Sequence, residues 1–427
     1  MNTFTIVFLA ALLATTAVRL WLARRQIAHV LAHRDAPPAQ FAGRIDLAAH
    51  RKAADYTITR TRFGIAALGV ETALLLLFTL GGGIEALLDF WHGRLAPAAS
   101  TELATGSELW SGVALIVSVF LISAIVDLPM AWWRQFVIEE RFGFNRMTQG
   151  LFFSDLAKQA AIGALLGIPT IAAALWLMER MGEAWWLWVW TFWCALNLLL
   201  LFIFPTWIAP LFNKFTPLAD DALKARIEAL LERCGFAASG FFVMDGSRRS
   251  AHGNAYFTGF GRNKRIVFFD TLLSRLQPQE VEAVLAHELG HFRLRHVLKR
   301  IMLMFVLALA FLALLGLLAQ SPWFYAGLGV SEAGDAQALL LFFLAAPVFA
   351  FPLTPMMSLL SRTQEYEADA YAAANAAATD LVSALVKLYE DNASTLTPDP
   401  LHSLFYDSHP PAALRVANLQ KLAAGAG

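Results

Sequence analysis

His287 and His291 stand four residues apart, with Glu288 beside the first of them, in the run His287-Glu288-Leu289-Gly290-His291. On a helix, positions i and i+4 return to the same face, so both imidazoles can grip one Zn²⁺ ion. Glu288 is then placed beside the metal, where it can take a proton from the bound water. The surrounding segment, Pro278 to His296, reads as an amphipathic helix. Taken alone, the pattern also fits two histidines on a solvated helix. A zinc protease needs a third protein ligand and an open fourth position for water.

A candidate lies downstream, in Ser361-Arg362-Thr363-Gln364-Glu365-Tyr366-Glu367-Ala368-Asp369. If this stretch is helical, Glu365 and Asp369 share a face. The first could bind zinc, and the second could accept an N–H from a ligand histidine and so fix its tautomer. Glu367 points roughly the opposite way and is the weaker candidate. An E-x-x-x-D pattern is common on solvated helices, and it gains meaning here only through its pairing with H-E-x-x-H.

The elements that must carry these residues are membrane helices. Of the 427 residues, 58% are hydrophobic and 15% charged, and the mean hydropathy is +0.54, values of a polytopic membrane protein. Seven stretches are long and apolar enough to cross a bilayer: Phe4–Ala23, Phe63–Leu80, Leu109–Val126, Ala161–Met178, Trp186–Phe204, Ile301–Leu318 and Ala338–Leu353. The first lacks a basic n-region and a small-residue cleavage site, so it reads as a retained helix. Glu71, inside the second, is expected to face the bundle interior or a cavity.

Charge sets the expected orientation. Arg24, Arg25, Arg34, Arg44, Arg51, Lys52, Arg60 and Arg62 fill the first loop, whereas the second and fourth carry only Arg94 and Arg180 and the sixth carries no Lys or Arg. The positive-inside rule then places the N-terminus outside and the C-terminus in the cytoplasm, with both metal motifs on the cytoplasmic side. A formal net charge of zero argues against a nucleic-acid partner. Two cysteines, Cys194 and Cys234, allow neither a disulfide framework nor a Cys-rich zinc site. The cluster Trp185, Trp186, Trp188 and Trp190 reads as a headgroup anchor.

Four segments follow: a membrane domain, 1–204, with five spans; a polar catalytic segment, 205–300; spans six and seven, 301–360; and a C-terminal catalytic segment, 361–427. Within the second, Leu218–Cys234 reads as helix with Gly235 as its stop. Gly240–Met244, Ala255–Phe260 and Ile266–Phe269 read as a small sheet. The stretch around Asn254 fits either an interior strand or an edge that receives an added peptide strand. His252, His296 and His402 have no partner at metal spacing and read as structural or solvated.

Further stretches carry a resemblance to a known family. They are Phe136-Val137-Ile138-Glu139-Glu140-Arg141-Phe142-Gly143-Phe144-Asn145, Ile208-Ala209-Pro210-Leu211-Phe212-Asn213, Asn254 through Phe260, Lys264 through Leu272, the two metal motifs, and Ser408-His409-Pro410-Pro411 with Arg415. Over most of its length the chain resembles the integral-membrane type I CAAX prenyl endopeptidases. The resemblance implies a mainly α membrane protein whose seven helices enclose a chamber, with a gluzincin-like zinc protease domain and a small β-sheet on the cytoplasmic side. It implies one Zn²⁺ held by His287, His291 and Glu365, with Glu288 as general base and Asp369 behind the ligands. His409 would match a histidine that stabilises the tetrahedral oxyanion; its alternative is packing at a turn before two prolines. Asn254, Ala255 and Tyr256 would match the strand against which substrate is laid. Arg415 could neutralise a substrate carboxylate or pair with a local acid.

The function so expected is peptide-bond hydrolysis near the C-terminus of lipid-modified or membrane-associated proteins. Its partners would be a peptide or protein substrate, prenylated in a eukaryotic setting, and the lipid bilayer. The Ala/Leu/Arg-rich character hints at a bacterial inner membrane rather than the endoplasmic reticulum. A rival within the class is a quality-control protease for membrane proteins. A transporter or zinc-handling protein is the reading from another class, but its site belongs on a broken helix at mid-membrane, and H-E-x-x-H lies in a polar segment.

Overall fold

Each apolar stretch of the sequence proves to belong to a longer helix, usually toward one of its ends, with Phe63–Leu80 running two residues past its own. The computed structural model describes residues 2–95, 101–253, 255–258 and 265–425. Its membrane-length helices are Thr3–Ala32, Leu47–Phe78, Glu108–Glu139, Gln149–Arg180, Gly182–Phe212, His296–Leu318 and Asp335–Asn375. A hydrocarbon core needs about 20 helical residues, so these helices run well past it into polar ends. Hydropathy registers only the apolar part, whereas a nucleated helix extends cheaply through polar residues.

Buried apolar residues form two main cores at opposite ends of the spans. One joins the start of the first span (Phe8, Leu12) to the end of the second (Phe78), the start of the third (Leu115), the end of the fourth (Met178), the end of the sixth (Leu315) and the start of the seventh (Leu341). The other holds Phe41 from the first loop together with Ile227, Phe268, Leu289, Leu385 and Val416. Between them the helices are loosely covered. Only 11% of the apolar window of the second, fourth and fifth spans is buried against protein, less than the roughly 100°-wide stripe a helix presents to a solid core. The two apolar cores therefore hold the bundle at its ends.

Two cavities open in that middle region. One, of about 690 Å³, is lined by Arg19, Tyr56, Arg60, Tyr389, His402 and His409 among others. Arg19 on its wall forms a 3.1 Å ion pair with Glu71, the intramembrane carboxylate expected to face a cavity. The other, of about 970 Å³, is walled by Phe120, Trp193, Phe311 and Phe343 and ends at Arg300 and Ser361. The tryptophan cluster is not simply an anchor: Trp185 is buried in the core, Trp190 donates to the Phe305 carbonyl at 2.8 Å, and Trp188 points outward, 52% exposed.

The sheet has the order β1-β2-β4-β3, with β1 Phe215–Pro217, β2 Gly240–Met244, β3 Ala255–Thr258 and β4 Arg265–Phe269. β2 and β4 run parallel, and β1 and β3 flank them antiparallel. Three residues ending in proline gave β1 no sequence signal, and its place at an edge is where proline is tolerated. β3 is the opposite edge. Asn254 and 259–264 lie outside the described residues, so the strand read as Ala255–Phe260 is described only to Thr258. The helix between β1 and β2 spans Asp221–Arg233, and Gly235 follows at φ +69°, the left-handed stop that glycine takes without strain.

Candidate active site

The active-site helix, Pro278–Arg293, starts on Pro278, whose fixed φ suits a first turn. Glu280 caps it, accepting the Gln277 N–H at 2.7 Å and the Lys387 ammonium at 2.7 Å. Burial works against the charge on Glu280, but the bonds from Lys387, Ser383 and Gln277 outweigh it and hold the carboxyl below its ordinary range. The helix ends at Arg293, short of the expected His296. Arg295 adopts φ +58°, and His296 opens the sixth span as a new helix.

Glu365 and Asp369 arrive on the returning helix, Thr354–Asn375. It packs face to face with the active-site helix, and Gly290 makes the approach possible. A Cβ there would stand 3.0 Å from the Ala368 Cα and 3.1 Å from its carbonyl oxygen. Arg300, at the base of the sixth span, clamps the returning helix through Gln364 (2.6 Å) and Ser361 (3.1 Å).

This packing brings two imidazole nitrogens and one carboxylate group together at nearly equal separations. His287 Nε2 and His291 Nε2 are 3.2 Å apart, His287 Nε2 is 3.5 Å from Glu365 Oε2, and His291 Nε2 is 3.4 Å from Glu365 Oε1. Ligands at about 2.0–2.1 Å from a tetrahedral zinc ion lie about 3.3–3.4 Å from one another, so the donor set fits such an ion in size and kind. Glu365 Oε2 is buried without a hydrogen bond of good geometry, although His409 Nδ1 stands 2.8 Å away. An acceptor left so is poised for a cation. Among the described residues, His287, His291 and Glu365 form a group that could hold a metal ion.

Around the triangle, Asp369 Oδ1 lies 2.9 Å from His287 Nδ1 and is fully buried. Arg415 grips the same carboxylate with two 2.7 Å bonds from Nε and an Nη. Burial opposes the charge on Arg415, yet Asp369 outweighs it and raises the guanidinium's pKa. Of the two readings for Arg415, the geometry places it on the local acid, 6% exposed. Glu288 is half-buried. His409 is 63% exposed at its side chain, in a segment that Arg362 ties down through the Ser403 and Asp407 carbonyls. Ala255 and Tyr256 stand on β3, which packs against the active-site helix. Asn254 lies outside the described residues.

Sequence reasoning missed the far side of His291. Its Nδ1 is 2.9 Å from His296 Nδ1, and His296 Nε2 is 2.8 Å from Glu367 Oε2. A spacing of five residues across a helix break carries no periodic signal. His252 stacks on Phe144 and bonds Asn392 at 3.0 Å, a structural role.

Seven membrane-length helices and a His-His-Glu triangle beside a helical glutamate define a membrane-embedded metalloendopeptidase. Residues 26–214 match the family model for the CAAX prenyl protease N-terminal region with five membrane helices, and residues 217–423 match peptidase family M48. The human CAAX prenyl protease 1 homolog is 32% identical across 97% of this chain and 96% of its own length. The Arabidopsis thaliana CAAX prenyl protease 1 homolog is 37% identical across 77% of each. The crystal structure of S. mikatae Ste24p superposes with a TM-score of 0.88 at 30% identity, covering 98% of this chain and 99% of that one. The chain belongs to peptidase family M48, as a multi-pass membrane metalloendopeptidase resembling the CAAX prenyl proteases.

Proposed function

We propose that the chain binds one zinc ion through His287, His291 and Glu365 and cleaves membrane-associated proteins near their C-termini. The observation that carries this reading is the junction of three features: the donor group, the strand β3 at one end of the described sheet, and the 690 Å³ cavity lined by His409, which stands 2.8 Å from Glu365. A peptide laid along β3 would gain backbone hydrogen bonds whatever its sequence, and the cavity would take the tail beyond the cut.

When bound, zinc supplies a Lewis acid that polarises the scissile carbonyl and brings the pKa of water toward 7. Glu288 takes the proton of the attacking water and passes it to the leaving amine. His409 donates toward the oxygen on which negative charge develops. Asp369, itself held by Arg415, keeps the His287 Nδ1–H in place so that Nε2 faces the metal.

The basic first loop supports a cytoplasmic site, because Phe41 and Ile45 of that loop are buried in the core that carries the metal residues. A bacterial inner membrane suits the composition, and the segment boundaries at 204, 300 and 360 follow the changes in hydropathy. CAAX-type tails bearing a prenyl group are the proposed substrates, on the strength of the names of the relatives.

The test uses purified, zinc-loaded protein in liposomes, given matched C-terminal peptides with and without a prenyl group, with Glu288→Gln as control. Cleavage of the prenylated peptide within its last few residues is expected. Cleavage confined to interior sites of unfolded membrane proteins would replace this substrate reading with quality control.

A further inference from the structure

We infer that His296 is a positioning residue for the metal centre, coupling the ligand His291 to Glu367 through a chain of fixed tautomers. The inference rests on the zinc reading given above, and it concerns residues to which no role has been attached.

The direction of the chain follows from donor and acceptor counting. An ionised carboxylate only accepts, so Glu367 Oε2, 2.8 Å from His296 Nε2, requires the proton of His296 on Nε2. The Nδ1 of neutral His296 is then an acceptor, and at 2.9 Å from His291 Nδ1 it requires the proton of His291 on Nδ1. That leaves the lone pair of His291 on Nε2, the atom 3.4 Å from Glu365 and 3.2 Å from its partner imidazole. Asp369 sets His287 in the same sense directly, at 2.9 Å. The two ligand histidines therefore have different supports, one a buried carboxylate and the other an imidazole with a carboxylate behind it.

Two independent features show that the arrangement is built. His296 is 1% exposed, and a buried imidazole needs partners for both nitrogens. The preceding residue, Arg295, holds φ +58°, a left-handed conformation that costs a non-glycine residue energy and persists where surrounding structure demands it. That turn brings His296 back under His291. Because His296 is also the first residue of the sixth span, the orientation of a metal ligand is tied to the seat of a membrane helix.

The experiment measures zinc affinity of the full chain in detergent by chelator competition, and the visible spectrum after Co²⁺ replaces zinc. His296→Leu removes the acceptor, whereas His296→Asn puts an amide oxygen near the old Nδ1 position. Loss of such support costs about 10–100-fold in metal affinity. His296→Leu is expected to show that loss with an altered Co²⁺ spectrum, and His296→Asn to recover most of it.

Glu367→Ala, at a side chain 46% exposed that the fold tolerates losing, is expected to lower affinity severalfold. Unchanged affinity and spectrum in His296→Leu would overturn the inference, as would equal losses in Leu and Asn variants with unchanged thermal melting. If His296→Leu does not fold, wild-type affinity in Glu367→Ala overturns it. Failure of the wild-type chain to bind zinc at all would instead remove the zinc reading itself.

Discussion

Gly290 and Ala368 touch backbone to backbone: a Cβ on Gly290 would meet the Ala368 Cα at 3.0 Å, with the Ala368 carbonyl oxygen at 3.1 Å and the Tyr371 Cβ at 3.1 Å. The two Ala368 atoms are main-chain atoms of the helix that carries Glu365 and Asp369, so relief requires movement of the helix itself. Gly290→Ala should cost about 1–3 kcal/mol, the range for overpacking, and lower metal content by spreading the donor triangle. Thermal melting and metal analysis on the same sample check both, and an unperturbed metal content would show that the helices can shift without opening the site.

Glu288→Gln keeps the shape of the side chain but cannot accept a proton. Turnover should fall by about 10²–10⁴ while bound metal stays stoichiometric. Assays on the metal-loaded variant separate the two quantities. Near-normal turnover would move the general base elsewhere.

Arg415 and Asp369 form a buried, two-bond pair. Arg415→Ala leaves a buried carboxylate without its partner, a change that typically costs about 3–5 kcal/mol, and should release the orientation of His287. Arg415→Lys keeps the charge without the planar fork and should recover only part of the stability. A wild-type melting temperature in the alanine variant would contradict the pairing as drawn.

Glu280 gives a pH signature. Its carboxyl is held below the ordinary range, so its bonds to Gln277, Ser383 and Lys387 stabilise the fold above that range. The contribution fades as pH falls through the folded-state value. Glu280→Gln should therefore melt earlier than wild type near neutral pH, by about 1–3 kcal/mol for loss of a buried charged acceptor. The gap should narrow as the pH is lowered below that of an ordinary glutamate. A gap that is constant with pH would assign the effect to packing.

The metal triangle was legible because its geometry is helical arithmetic. His287 and His291 are one turn apart, as are Glu365 and Asp369, and each pair needs only its own helix to be correct. The existence of seven spans was legible for a similar reason, since a long apolar run has few alternatives. Hidden features depend on what two elements do to each other. Glu367 looked idle because its partner, His296, is aligned by a left-handed turn at Arg295 rather than by a period. The third span ends in a π-helical turn, Arg134–Glu139, which carries Glu139 to the Tyr56 hydroxyl at 2.8 Å; neither residue announces the other. The open choice at Arg415 was one of burial, which a sequence does not display.

Glu365 reaches His287 and His291 only after the sixth and seventh spans have both been threaded through the bilayer. During synthesis the histidine pair is made first, so a nascent chain carries an incomplete donor set until its last membrane helix is seated. On the zinc reading proposed above, cleavage chemistry waits until insertion is finished, and a chain truncated before the seventh span is expected to be inert. The order of the polypeptide thus ties completion of the donor group to completion of the membrane domain.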